Sequence, residues 1–169
     1  MNSKLSIMFM VCTLVSAPAI ADVILLEASI DGAQANNGSG TGSAGTGTAT
    51  LSFDNVTKDL SWNIEWSGLL GSATAAHFHG PASPLAGAGV QQNIGVSSNP
   101  AIGNASLSGA QETDLLNELW YINIHSSTFP GGEIRGQVLL SPVPEPSAFA
   151  FLGIAGVLFA GYRIKRHRT

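Results

Sequence analysis

Cysteine is almost missing from this sequence, because the single thiol, Cys12, lies in an apolar stretch near the N-terminus. The chain beyond it therefore has no disulfide, no thiolate metal site and no cysteine nucleophile. The sequence also lacks a nucleophile elbow, a Walker loop, a dinucleotide fingerprint and a paired-carboxylate signature. Conventional hydrolase and transferase chemistry has no support, so we expect a protein that is not an enzyme.

Basic residues are scarce between the two ends of the chain. Residues 22–147 hold all 11 acidic residues but only Lys58 and Arg135 as bases. Such a surface repels the phosphates of a nucleic acid, which we therefore exclude as a partner. It favours solubility outside the cell.

Residues 1–21 predict a cleavable secretory signal peptide. Lys4 precedes an apolar run over Leu5–Val15, and the small side chains of Ala19 and Ala21 fit a signal peptidase. The apolar run is shorter than the roughly 20 residues that span a bilayer. We expect cleavage after Ala21 and export of the rest of the chain.

Residues 142–169 predict a sorting segment that holds the chain at a membrane. The stretch 147–162 carries no charge and predicts a transmembrane helix. The basic tail that follows, which favours a cytoplasmic end, contains Arg163, Lys165, Arg166 and Arg168. Just before the helix stand Pro144, Glu145 and Pro146, whose prolines keep the backbone extended for a protease to read.

This order of Pro-Glu-Pro, short apolar helix and basic tail resembles the PEP-CTERM sorting signal. The resemblance implies that an exosortase-type protease cuts the segment. The membrane is then a transient anchor for the precursor, and the product belongs to the cell envelope or the extracellular space. A plain single-pass tail anchor is the alternative.

Residues 22–141 suffice for one domain with one core. Leu60, Trp62, Ile64 and Trp66 alternate with polar residues and predict a half-buried strand. Similar patterns predict strands over 23–29, 48–53, 73–79, 90–96, 105–107, 120–125 and 133–140, and one short helix over 108–119. The pattern is typical of an all-β antiparallel Greek-key sandwich or barrel. The Gly- and Ser-rich segment 31–47 predicts a long flexible loop.

Three histidines are the candidate chemical groups. His77 and His79 leave the same face of a predicted strand, about 6.5 to 7 Å apart along the backbone. His125 ends the polar face of another strand, so the three imidazoles meet if the two strands lie together. Such a site suits copper or zinc. The alternative is a hydrogen-bonded network that closes a loop, with Glu133, Asn123 and Arg135 as its partners.

Arg135 alternates with Glu133 and Gln137 on one face of the last long strand. Two roles are open for it. It could guide an anion to the histidines, or it could simply pair with a carboxylate such as Glu133 or Glu65.

Several motifs resemble the CHRD domain, over about residues 23–140: 74–82 (TAAHFHGPA), 119–125 and 130–138 (PGGEIRGQV), with 32–34 and 45–49 before them. The resemblance implies an extracellular binding or structural module, names no reaction and does not name a ligand. A surface polysaccharide or a protein is the partner that we expect.

A more distant likeness is to Cu,Zn superoxide dismutase. It implies His77, His79 and His125 as copper ligands and Arg135 as an anion guide. However, no histidine stands between His79 and His125 to bridge copper to zinc, and the disulfide cysteines are missing. The alternative function is therefore a copper-binding domain with a single ion, with or without redox activity toward superoxide.

Overall fold

The computed structural model describes residues 23–142 of the chain. This part contains nine strands, one α-helix and a 3-10 turn at Asn36–Gly38. In chain order the elements are β1 Val23–Asp31, β2 Thr46–Asp54, β3 Asp59–Ser67, β4 Ala73–His79, β5 Val90–Asn93, β6 Ala101–Ser106, α1 Gly109–Leu116, β7 Tyr121–Ser126, β8 Ile134–Gln137 and β9 Leu139–Leu140.

The strands form one antiparallel sheet in the order β5-β4-β7-β8-β1-β2-β3-β6, and β9 pairs with β1. This sheet curls into a nearly closed, barrel-like shape. The predicted all-β antiparallel class with one short helix is confirmed, and of the two predicted shapes the barrel describes the sheet better than the sandwich. The strand predicted over 120–125 is present as β7 and pairs with β8, and the strand predicted over 133–140 is divided into β8 and β9.

The core lies inside the curled sheet and is built from the alternating residues of its strands. Leu60, Trp62, Ile64 and Trp66 of β3 all point inward, as their spacing predicts. Each large apolar side chain that leaves water contributes roughly 1.5–3 kcal/mol. A slip of one residue in the pairing would turn the whole set toward solvent, so burial fixes the register.

Helix α1 begins where the sequence places a capping residue. The Ser108 hydroxyl accepts a hydrogen bond from the Gln111 amide, and the Gln111 side chain accepts one from the Ser108 amide. This capping box satisfies backbone donors that would otherwise lack partners. The helix buries Leu115 and ends at Leu116, three residues before the predicted end.

Strand β6 is longer than the predicted 105–107. Its mostly small residues give no alternating apolar pattern, so the sequence does not predict the first part of this strand. Gly103 pairs with Trp62 of β3, and a Cβ at this position would overlap the indole ring. The glycine is therefore required for a close approach between strand and ring.

Residues 32–45 form a loop, as predicted, apart from the short 3-10 turn, but this loop packs against the rest of the domain. Ala35 is 1% exposed, and the hydroxyl of Thr41 donates to the backbone carbonyl of Glu133 at 2.8 Å. Strand β2 already begins at Thr46. The segment packs because a distant residue supplies hydrogen-bond acceptors, which local composition cannot reveal.

Glu133 is a fully buried carboxylate that joins three parts of the fold. It accepts hydrogen bonds from the Ser43 hydroxyl and the Leu70 amide, both at 2.6 Å. Burial alone would raise the pKa of Glu133, but Ser126 and Ser43 hydroxyls and the amides of Leu70 and Gly71 together hold that pKa below its usual value.

No helix among residues 23–142 has the length and apolar character needed to cross a membrane. The predicted signal peptide 1–21, the motif 144–146, the helix 147–162 and the basic tail lie outside the described residues.

Replacing Glu133 by Gln should remove a pH-dependent part of the stability. Because the folded-state pKa is lowered, the carboxylate stabilises the fold fully above about pH 4.5, the ordinary value. This contribution is lost as the pH falls through the folded-state pKa. Urea unfolding at about pH 7 should show a loss of about 1–3 kcal/mol for E133Q.

The loss should shrink when the same titration is repeated at about pH 3 and lower. Glu65→Gln, on the exposed face of β3, is the matched control and should follow the wild type. An E133Q deficit that stays constant from neutral to acid pH would contradict this role of the charge.

Candidate functional site

The pairing of β4 with β7 brings the three histidines together. In the antiparallel register His77 lies opposite Asn123 and His79 lies opposite Tyr121, while His125 lies opposite Ala75. The three imidazoles therefore leave the same face of two adjacent strands, on the side away from the apolar core. We call these three residues the histidine cluster.

The ring nitrogens of the histidine cluster are close enough to share one ion. One nitrogen from each ring can be chosen so that all lie within 4.8 Å of one another. His77 Nδ1 is 3.3 Å from His125 Nε2. Imidazole nitrogens lie about 2.0–2.1 Å from a bound Zn²⁺, so tetrahedral ligands stand roughly 3.3 Å apart.

Two backbone carbonyls fix the protonation pattern of the cluster. Nδ1 of His79 lies 3.0 Å from the carbonyl oxygen of Ala88, and Nδ1 of His125 lies 2.8 Å from that of Pro130. A carbonyl only accepts, so each Nδ1 carries the proton and each Nε2 presents a lone pair. This second hydrogen bond is typical of histidines that bind metals.

Nε2 of His79 has no hydrogen-bond partner among the described residues, although it is buried. The His79 side chain as a whole is 8% exposed. Buried polar atoms in native proteins nearly always have a partner, so a lone pair of this kind requires an explanation. It belongs to one of the three rings of the histidine cluster.

The surroundings of two of the three rings disfavour their charged forms. Burial lowers the pKa of His77, and the neighbouring His125 and His79 lower it further. Burial also lowers the pKa of His79. The hydrogen bond to Ala88 raises this pKa, whereas repulsion from His125 and Arg135 lowers it further. Neutral imidazoles keep the lone pairs that a metal ion requires.

Arg135 supports the cluster indirectly. Its Cζ atom lies 3.5 Å from the centre of the Tyr121 ring, and the same ring stacks on His79 with centroids 5.1 Å apart. Its Nη1 donates to Ala86 O at 2.8 Å and its Nη2 to Ser83 O at 3.1 Å. Arg135 thus holds the loop that provides the Ala88 carbonyl to His79.

The predicted pairing of Arg135 with a carboxylate is wrong. The carboxylate of Glu133 accepts from Ser43 and Leu70, and that of Glu65 accepts from the Thr48 hydroxyl. Arg135 is 3% exposed, and its guanidinium donates to backbone carbonyls and lies over the Tyr121 ring instead. Of the partners proposed for a hydrogen-bonded histidine network, Asn123 does approach, with Nδ2 3.5 Å from His125 Nε2.

The turn before β8 places the carbonyl of Pro130 against His125. Gly131 O accepts a hydrogen bond from Asn123 Nδ2 at 3.2 Å. Gly132 has φ +119°, and a Cβ there would overlap the side-chain amide of Asn123. Sequence reasoning missed the carbonyls of Ala88 and Pro130, because backbone groups leave no signal in side-chain patterns.

Comparison with known proteins identifies the domain. Residues 26–138 match the family model of the CHRD domain. This chain belongs to the CHRD domain family. The matched range contains all three cluster histidines, and CHRD domains are typically extracellular or secreted. Neither a curated protein nor a solved structure matches the chain.

Replacing Gly132 by Ala should damage both the fold and the histidine cluster. The new methyl group would strain the backbone and displace Asn123, at a cost of about 1–3 kcal/mol in urea unfolding. Gly131→Ala is the matched control, because a Cβ at Gly131 meets nothing within 4 Å. In NMR spectra only G132A should move the His125 ring signals. Equal effects of the two variants would contradict this role of Gly132.

Proposed function

We propose that this CHRD protein is an exported, non-catalytic binding or structural module of the cell envelope or extracellular space. The observation that carries the proposal is the family membership of residues 26–138, since CHRD domains are typically extracellular or secreted. The predicted signal peptide and sorting segment on either side support the same destination. Its ligand is a surface polysaccharide or another protein.

Delivery depends on the two ends of the chain. The signal peptide starts export, and the apolar stretch 147–162 with its basic tail stops the chain in the membrane. An exosortase-type protease then cuts near Pro144, Glu145 and Pro146. In support, the last described strand ends at Leu140 and Ser141 N still donates to Leu25 O at 2.9 Å, so the described fold extends almost to this motif.

Replacing Pro144, Glu145 and Pro146 together by Ala should trap the protein as an uncleaved membrane precursor. Immunoblots of membrane and medium fractions from the native host should show a larger, membrane-bound band. Deleting the host's exosortase gene should give the same band, whereas the neighbouring Pro142→Ala control should be processed normally. Release of the triple variant at the wild-type rate and size would contradict the proposed sorting.

A second function is favoured by the histidine cluster: we propose that it binds one copper ion. The ligands would be Nδ1 of His77 and Nε2 of His79 and His125, a neutral nitrogen set that suits copper. The buried, unpartnered Nε2 of His79 supports the proposal, since an ion would satisfy it. The hydrogen bonds to Ala88 and Pro130 would hold two of the three rings in place.

Protein purified from copper-supplemented cells should carry about one copper per chain by elemental analysis. His125→Ala or His79→Ala should weaken copper binding by at least 10- to 100-fold in a competition titration. Asn63→Ala, on the exposed face of β3, is the control and should bind like the wild type. A copper content near zero in the wild-type protein would end this proposal.

A further inference from the structure

A small cavity opens directly against the histidine cluster. Its volume is about 260 Å³, and His79 and His125 form part of its wall. Tyr121, Asn123, Gly131 and Arg135 also line it. His77 is not among the lining residues, so the cavity meets the cluster from the side of the other two rings.

The charge of the cavity is opposite to that of the domain. Residues 23–142 contain nine acidic residues and two basic ones. None of the acidic residues lines the cavity, whereas one of the two bases, Arg135, does. A cation in the histidine cluster would add further positive charge. Charge complementarity therefore favours an anion in this cavity.

Three histidines leave a metal ion with an unfilled position. Sites with three protein ligands commonly take a water molecule or another small ligand as the fourth. In this fold, two of the three proposed ligands, His79 and His125, also line the cavity, so a fourth ligand of a bound ion would find adjacent space there. When His125 Nε2 binds the ion, the Asn123 amide that now approaches this nitrogen becomes free to donate to the fourth ligand.

We propose that the ion held by the histidine cluster takes a small anion as its fourth ligand, seated in this cavity beside Arg135. The inference rests on the proposed copper site and specifies its ligand class. The volume admits an anion of a few atoms, such as azide or a simple carboxylate, and is too small for a polymer.

Azide is the probe, because its binding to Cu²⁺ produces a new charge-transfer absorption band. The full-length protein, loaded with one equivalent of Cu²⁺, should develop this band in a saturable titration, and its copper EPR spectrum should change in parallel. Gly131→Leu should keep one copper per chain but bind azide at least tenfold more weakly, since a Cβ at Gly131 enters open space beside the cavity.

Gly89→Leu is the matched control, since Gly89 is exposed, a Cβ there also meets nothing within 4 Å, and Gly89 does not line the cavity. It should bind azide like the wild type. If copper binds and azide changes neither spectrum, or if G131L binds azide normally, the inference is overturned while the copper site stands. If copper does not bind at all, the proposed copper function fails and the inference fails with it.

Discussion

The antiparallel pairing of β4 with β7 is the interaction on which the candidate site depends. It sets His77 and His79 beside His125, and it places Tyr121 against His79. The opposite faces of the same two strands bury Phe78, Ile122 and Ile124 in the core. A slip of one residue would expose these apolar groups, so the free energy of burial that stabilises the fold also holds the histidine cluster in register.

Two loops orient the rings that the strands bring together. Buried Arg135 holds the chain at Ser83 and Ala86 and so brings the Ala88 carbonyl to His79. The turn at Pro130 brings a second carbonyl to His125. Each carbonyl accepts a hydrogen bond from the Nδ1–H of one ring, so the lone pair of that ring lies on Nε2, and the unliganded protein already presents two oriented lone pairs. Such preorganisation reduces the ordering cost of binding an ion.

The sequence predicts those features that depend on local alternation. Period two gives strand β3 with its buried face and strand β7 with its core face, although the opposite face of β7 is largely buried too. The spacing of His77 and His79 puts both rings on one face. The order of strands in a sheet does not follow from local sequence patterns. The sequence therefore predicts that the three histidines meet only if β4 and β7 are neighbours. The contacts of Arg135 and the packing of segment 31–47 depend on carbonyls and on Glu133, far along the chain, and side-chain patterns carry no record of them.

The central claim is that the histidine cluster is a preformed ligand site, and the tautomers of its rings test it most directly. Long-range ¹H–¹⁵N NMR of the metal-free protein at about pH 7.5 should show Nδ1–H imidazoles at His79 and His125, although free histidine favours Nε2–H. One equivalent of diamagnetic Cu⁺ should then shift the Nε2 signals of both rings. Nε2–H tautomers at these two residues, or Nε2 signals that do not respond to Cu⁺, would contradict the account.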